Sequence, residues 1–228
     1  MTRAQAAYAA REAAGLVVMA VALFATAGTV AWWPAWALLA IMAAWIAATG
    51  YVVTRVHPGL LAERLGVVPG TPAWDAAIVG AVALGQLARY VVAGLDHRAG
   101  AAGGGAASAG GIGPGAQAAA VVVCALGYAV FVWANAVNAF FSRLVRIQTE
   151  RGHRVVTRGP YRLVRHPAYL GAIAFELAAP IALASWRALA ISVVTAALLV
   201  LRTALEDRLL IAQLDGYAAY ARQVRARL

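Results

Sequence analysis

The sequence predicts an all-α protein: a polytopic transmembrane helical bundle of about five to six spans, with a C-terminal cytoplasmic helical tail. Three observations carry that expectation. Hydrophobic residues make up 63% of the 228 and charged residues only 12%, whereas about a quarter of an ordinary globular chain is charged. Apolar runs close to the roughly 20 residues that a helix needs to cross a bilayer recur along the chain. All 19 basic residues are arginine, and they are unevenly placed.

The apolar runs fall at 12–31, 35–54, 73–95, 117–141, 167–184 and 187–206. The first is long and closely followed by a second, so it reads as a retained span and not as a cleaved signal. Between them, "AWWPAW" (31–36) reads as an aromatic belt at the outer surface. The loop 55–72 places Leu60, Leu61, Leu65 and Val68 for one apolar face, which predicts a short helix lying on the membrane. His57, before a proline, is expected to face solvent. Residues 96–116 are Gly/Ala/Ser-rich. They lack the strand–turn–helix setting of a dinucleotide fingerprint and read as a loop. The fourth run carries the lone Cys124, expected to serve as a small buried hydrophobe; it forms no disulfide and no metal site. Near its end Asn135 and Asn138 share a helix face, either as helix glue or as ligand contacts. The fifth run is short and contains Pro180.

The arginines set the expected topology. With a cytoplasmic N-terminus and six spans, 16 of the 19 fall in cytoplasmic segments, Arg98 and Arg187 fall outside, and Arg89 lies within the third span. This is positive-inside asymmetry. The formal charge of +10 therefore reports topology and contact with anionic lipid, and calls for no nucleic-acid partner. Both termini are expected in the cytoplasm, with the chain in a bacterial cytoplasmic membrane.

Polar chemistry concentrates in "GPYRLVRHPAYLG" (159–171). Pro167 disfavours helix at His166 and suits the first turn, so the fifth span should begin there. That helix start offers unpaired N–H groups and partial positive charge to an anionic ligand group. Gly171, one turn in, permits close approach of a ligand or another helix. "ASW" (184–186) leaves room for only a tight hairpin. Going up about 26 Å and back brings "RTALEDRLL" to the same depth, so Glu206 and Asp207 arrive near Arg165, His166 and Tyr169. An i,i+4 pair between Arg202 and Glu206 is the bland alternative. A helix start for a carboxylate, a carboxylate for an ammonium and tyrosines for an adenine or a sulfonium together suit S-adenosyl-L-methionine.

"GHRVVTRGPYRLVRHPAYLG", "RTALEDRLL" and "GYAAYARQVRARL" resemble the isoprenylcysteine carboxyl methyltransferase family of integral-membrane enzymes, with phospholipid N-methyltransferases similar. The resemblance covers about 138–228 and extends weakly to "HPGLLAER" and "AGLDHR". It implies two parts: residues 1–137 as N-terminal spans with the Gly-rich outer loop, and 138–228 as the cofactor-binding and catalytic region. It also implies that Gly159, Tyr161, His166, Pro167, Tyr169, Gly171, Glu206 and Asp207 bind S-adenosylmethionine. Arg165 is expected to orient an anionic acceptor or the methionine carboxylate, with Glu206 as its catalytic companion. Asn138 and Arg89 stand as substrate-side candidates. The acceptor is a lipophilic or small molecule: the carboxylate of an isoprenylated cysteine-like compound, a lipid amine or a thiol. Two rivals share features of the sequence. One is an NADPH-dependent reductase of a sterol-like or isoprenoid-like lipid. The other is a non-enzymatic transporter or assembly factor with Arg89 and Glu176 as a buried pair.

Overall fold

The computed structural model describes residues 2–65, 71–102 and 111–228. Val68 and residues 103–110 of the Gly-rich segment lie outside them. Among the described residues the architecture is wholly helical: α1 (Arg3–Ala27), α2 (Trp33–Tyr51, continued by a π-helical segment Val52–Val56), α3 (Leu60–Leu65), α4 (Ala73–Ala102), α5 (Pro114–Val137), α6 (Pro167–Ala182), α7 (Trp186–Gln213) and α8 (Tyr217–Gln223). Five helices are long and apolar enough to cross a membrane: α1, α2 with its extension, α4, α5 and α7. The sixth expected span, α6, has only 16 residues and rises about 24 Å. The chain is a multi-pass membrane protein built on these helices.

Local signals set the helix limits. α1 starts nine residues before its apolar run because Thr2 and Gln5 form a reciprocal capping box. Pro34, Pro114 and Pro167 sit in the first turns of α2, α5 and α6, where a missing N–H costs nothing. Ser185 caps α7 by accepting from the Ala188 N–H at 3.0 Å. That confirms the hairpin expected at "ASW".

The tightest helix pair is α5 with α6, and glycines make it possible. A Cβ on Gly171 would lie 2.2 Å from the Gly127 carbonyl oxygen, and one on Gly127 would lie 2.6 Å from the Gly171 oxygen. α4 packs on α1 and α7, α6 on α7, and α2 on α5. Leu23, Leu38, Ala93, Cys124, Phe175 and Ala179 belong to the main core, so Cys124 is a buried hydrophobe as expected. Trp33 and Trp36 are exposed, in keeping with an aromatic belt; Trp32 is buried and stacks on His97 at 4.4 Å.

Three loop expectations are corrected. The Gly-rich segment is not a loop throughout: 96–102 continue α4 and 114–116 begin α5, because alanine sustains a helix there. α3 does not lay Leu60 on a membrane surface: Leu60 is buried with Tyr8 and Val53, and Glu63 and Arg64 are buried too. His57 does not face solvent freely; its Nε2 donates to the Ala136 carbonyl at 2.9 Å.

Candidate active site

The segment after α5 folds back against the bundle. Gly159 takes a left-handed conformation, φ +59°, which starts the 3₁₀ turn Gly159–Arg162. This turn drives Tyr161 down into a cluster with Ala134 and Ala168. The Asn138 side chain donates to the Tyr161 hydroxyl at 3.2 Å, and burial pushes that phenol well above its ordinary range. Pro167 then opens α6, so His166 and Tyr169 come from one turn of backbone.

α7 brings the two acidic residues, which do different work. Glu206 accepts from the Tyr169 hydroxyl at 2.7 Å and lines a cavity of about 610 Å³. Asp207 points away from it. Its carboxylate takes both ends of the Arg165 guanidinium (3.0 and 2.8 Å), contacts His166 Nε2 at 3.1 Å and accepts from the Tyr217 hydroxyl at 2.8 Å. Burial, reinforced by the bond to Asp207, raises the Tyr217 phenol well above its usual range. The adjacent acids thus diverge because neighbouring positions on a helix face about 100° apart.

Residues 224–227 pair with the chain just before α6. Arg165 and His166 donate their backbone N–H groups to the Ala226 and Arg227 carbonyls, both at 3.0 Å. The Arg165 side chain adds bonds to the Val224 and Arg225 carbonyls, at 2.8 and 2.9 Å. Tyr220 donates to the Tyr161 carbonyl at 2.7 Å; burial pushes its phenol up to about 12. Tyr161, Tyr217 and Tyr220 all line the cavity.

Several expected site residues therefore change role. His166, Pro167, Tyr169, Tyr161, Asn138 and Glu206 meet around the cavity. Gly171 does not meet a ligand there, because the α5 backbone fills the space where its side chain would be. Gly159 packs against Val137 and Trp133; its contribution is the turn. Asp207 bonds the Arg165 guanidinium, which also bonds the tail, and Arg165 lines the cavity as well. Arg89 is fully buried against Glu176, 2.7 Å away, beneath Tyr90 and Phe175. Gln86, bonded to Glu176 at 3.3 Å, is the member of that group that reaches the cavity. The Arg202–Glu206 pair is also corrected: Arg202 bonds Asp75 of α4, at 2.6 and 3.1 Å.

Asp75 is a residue that sequence reasoning missed. It is fully buried, and it also accepts from the Val145 N–H at 2.8 Å. It thereby ties α4, α7 and the 142–166 segment together next to Glu206. His153 is another; it lines the cavity, stacks on Phe140 at 4.7 Å and accepts from the Gln148 N–H at 3.3 Å. Burial, aided by Arg151 and Arg146, lowers its pKa to about 4.

The motif segment, α6 and the acidic part of α7 fall within the stretch that matches a family model. Residues 118–212 match the model of the isoprenylcysteine carboxyl methyltransferase (ICMT) family. The matched stretch is less than half of the chain. Its fold is similar to that of the eukaryotic intramembrane Ras methyltransferase ICMT, with a TM-score of 0.56 at 19% identity over 95% of this chain and 74% of the other. No curated protein matches by sequence. The ICMT family match takes in α6 and nearly all of α7, and so Tyr169 and Glu206; α1 to α4 and α8 lie outside it.

Proposed function

We propose that this protein transfers a methyl group from S-adenosyl-L-methionine to a lipophilic acceptor at the cytoplasmic face of a membrane. The observation that carries the reading is the Tyr169–Glu206 contact at the wall of the cavity, directly beside the start of α6. About 610 Å³ falls within the ~300–1,000 Å³ usual for cofactor and small-molecule sites.

The residues present fit the parts of the cofactor. Ala168 and Tyr169, at the second and third positions of α6, have N–H groups without intrahelical acceptors, and His166 supplies no side-chain cap. They suit a carboxylate. Glu206 keeps one carboxylate oxygen beyond the Tyr169 bond and suits an ammonium. Tyr161, Tyr217 and Tyr220 supply ring faces for an adenine or a cationic sulfur. When bound, S-adenosylmethionine supplies a methyl group on a positively charged sulfur.

The chain's own work is positioning and water exclusion. Asp207 holds Arg165, His166 and Tyr217 in register. Arg165 binds the tail and so ties the segment after Tyr217 and Tyr220, which line the cavity, to the start of α6. Asn138 fixes the Tyr161 hydroxyl. An ionised carboxylate or thiolate acceptor needs no general base here. Lateral access for a lipophilic acceptor runs along the apolar part of the same cavity, past Met42, Trp45 and Phe131.

The discriminating experiment is equilibrium binding of S-adenosylmethionine and NADPH to the purified protein, side by side. Binding of the first in the micromolar range, with none of the second, is expected. The opposite result installs the reductase reading.

A further inference from the structure

The wall of the cavity opposite α7, where α2, α3 and α5 meet, holds hydrogen-bond donors without acceptors. Trp45 Nε1 and Arg64 Nε, on residues that line the cavity, and Asn135 Nδ2, on a residue that Arg64 bonds, are buried, and none has a partner among the described residues. Buried donors are ordinarily satisfied, so three in one place call for an explanation. They form one connected group. Arg64 Nη2 donates to Asn135 Oδ1 at 3.4 Å. The Arg64 guanidinium lies over the Phe141 ring at 5.3 Å, and Phe141 meets Phe131 edge-on at 5.3 Å. Phe131 in turn meets Trp45 at 5.4 Å. Phe131 and Asn135 are one turn apart on α5.

Arg64 is the unusual member. It is 7% exposed, yet no carboxylate among the described residues pairs with it. Its neighbours' acids are already taken: Glu12 bonds Arg11, and Glu63 bonds Arg146. Arg11 spends its other contact on the Arg64 carbonyl. Burial pushes the Arg64 guanidinium below its ordinary pKa. A buried cation without an anion is unfavourable unless something supplies one. Arg64, Trp45, Arg11 and Arg143 all line the cavity, so the missing anion has a place to sit. Arg64 also lies outside the region matched to the family model.

We infer that Arg64, held by Asn135 and sharing the cavity wall with Trp45, binds an oxyanion of the acceptor, a carboxylate or a phosphate on a lipophilic molecule. Its apolar part lies along Met42, Trp45 and Phe131, and its anionic end is held across the cavity from Glu206 and Tyr169. The same charge repels an ammonium head, which selects an anionic acceptor over a lipid amine. Arg64 is thus a positioning residue for the acceptor. Only the word acceptor rests on the methyltransferase reading; the anion site rests on the unpaired donors.

The test is equilibrium binding to the full chain in nanodiscs. The probes are S-dodecyl-N-acetylcysteine, its uncharged primary amide, and dodecyl phosphate. The wild type should bind one of the two anions about tenfold more tightly than the amide, as a charge-assisted contact requires. The tighter anion identifies the head group. Arg64→Gln should lose about tenfold for that anion and leave the amide unchanged. Unchanged anion binding in Arg64→Gln overturns the site, and so does an equal loss for anion and amide, which would make Arg64 a packing residue. Should Arg64→Gln fail to fold on a melting curve, Trp45→Phe keeps the ring and removes only the N–H. It should weaken the anion alone by about threefold, and equal affinity overturns the proposal. S-adenosylmethionine binding on the same samples separates the two readings. Anion preference without cofactor binding removes the methyltransferase reading and keeps the site; cofactor binding without anion preference does the reverse.

Discussion

The Tyr169 hydroxyl donates to Glu206 across 2.7 Å, joining the first turn of α6 to the latter part of α7 at the edge of the cavity. Both residues stand on rigid helices, and the α6–α7 hairpin links them through a three-residue turn, Leu183 to Ser185. Small displacements of either helix would therefore be felt at this contact.

Glu206→Gln keeps the size and the Tyr169 bond but removes the charge. S-adenosylmethionine affinity should fall by about 10- to 150-fold, the loss of a charge-assisted contact of ~1.5–3 kcal/mol. Titration of the cofactor into wild type and variant measures it. Equal affinities would reduce Glu206 to a partner for Tyr169.

Gly171→Ala tests the α5–α6 contact. The added Cβ would meet the Gly127 carbonyl oxygen at 2.2 Å, and backbone on both sides cannot rotate away. A loss of about 1–3 kcal/mol is expected for overpacking of this kind. It should appear as an earlier melting transition in detergent. A melting curve identical to wild type would mean that the helices separate at little cost.

His153 predicts a pH dependence. Its pKa is lowered to about 4 in the folded protein, against an ordinary value of 6.5. Between those values the unfolded chain binds a proton at this ring and the folded chain does not. Stability contributed here is therefore complete above pH 6.5, declines as pH falls toward 4, and is constant below that. His153→Gln should flatten the fall of the melting midpoint between pH 6.5 and 4.5. An unchanged slope would assign the acid sensitivity to other groups.

The arginine distribution predicts that both termini face the cytoplasm and that residues 99–116 lie outside. In a variant carrying Cys124→Ala and Ser108→Cys, a membrane-impermeant thiol reagent should label intact cells or right-side-out vesicles. Labelling only after membrane disruption would invert the topology and with it the side from which the cofactor enters.

The sequence by itself determined the helical membrane class, the hairpin at "ASW", the start of α6 at Pro167 and the arrival of Glu206 and Asp207 at the depth of Tyr169. Each is a local matter: hydropathy over one helix length, proline stereochemistry, or equal rise along two antiparallel helices. Rotation about a helix axis is not local, and only the tertiary structure decided it. It sent Glu206 to the cavity and turned Asp207 to Arg165, His166 and Tyr217. It joined Arg202 to Asp75, a residue 127 positions away, where an i,i+4 partner stood in the same helix. Gly171 became a helix contact because α5 approaches on that side. Arg64 gave no sign in the sequence of being more than one cytoplasmic arginine among many. Its burial without a carboxylate follows from how α3 folds under α1 and beside α5, which depends on contacts between segments far apart in the chain.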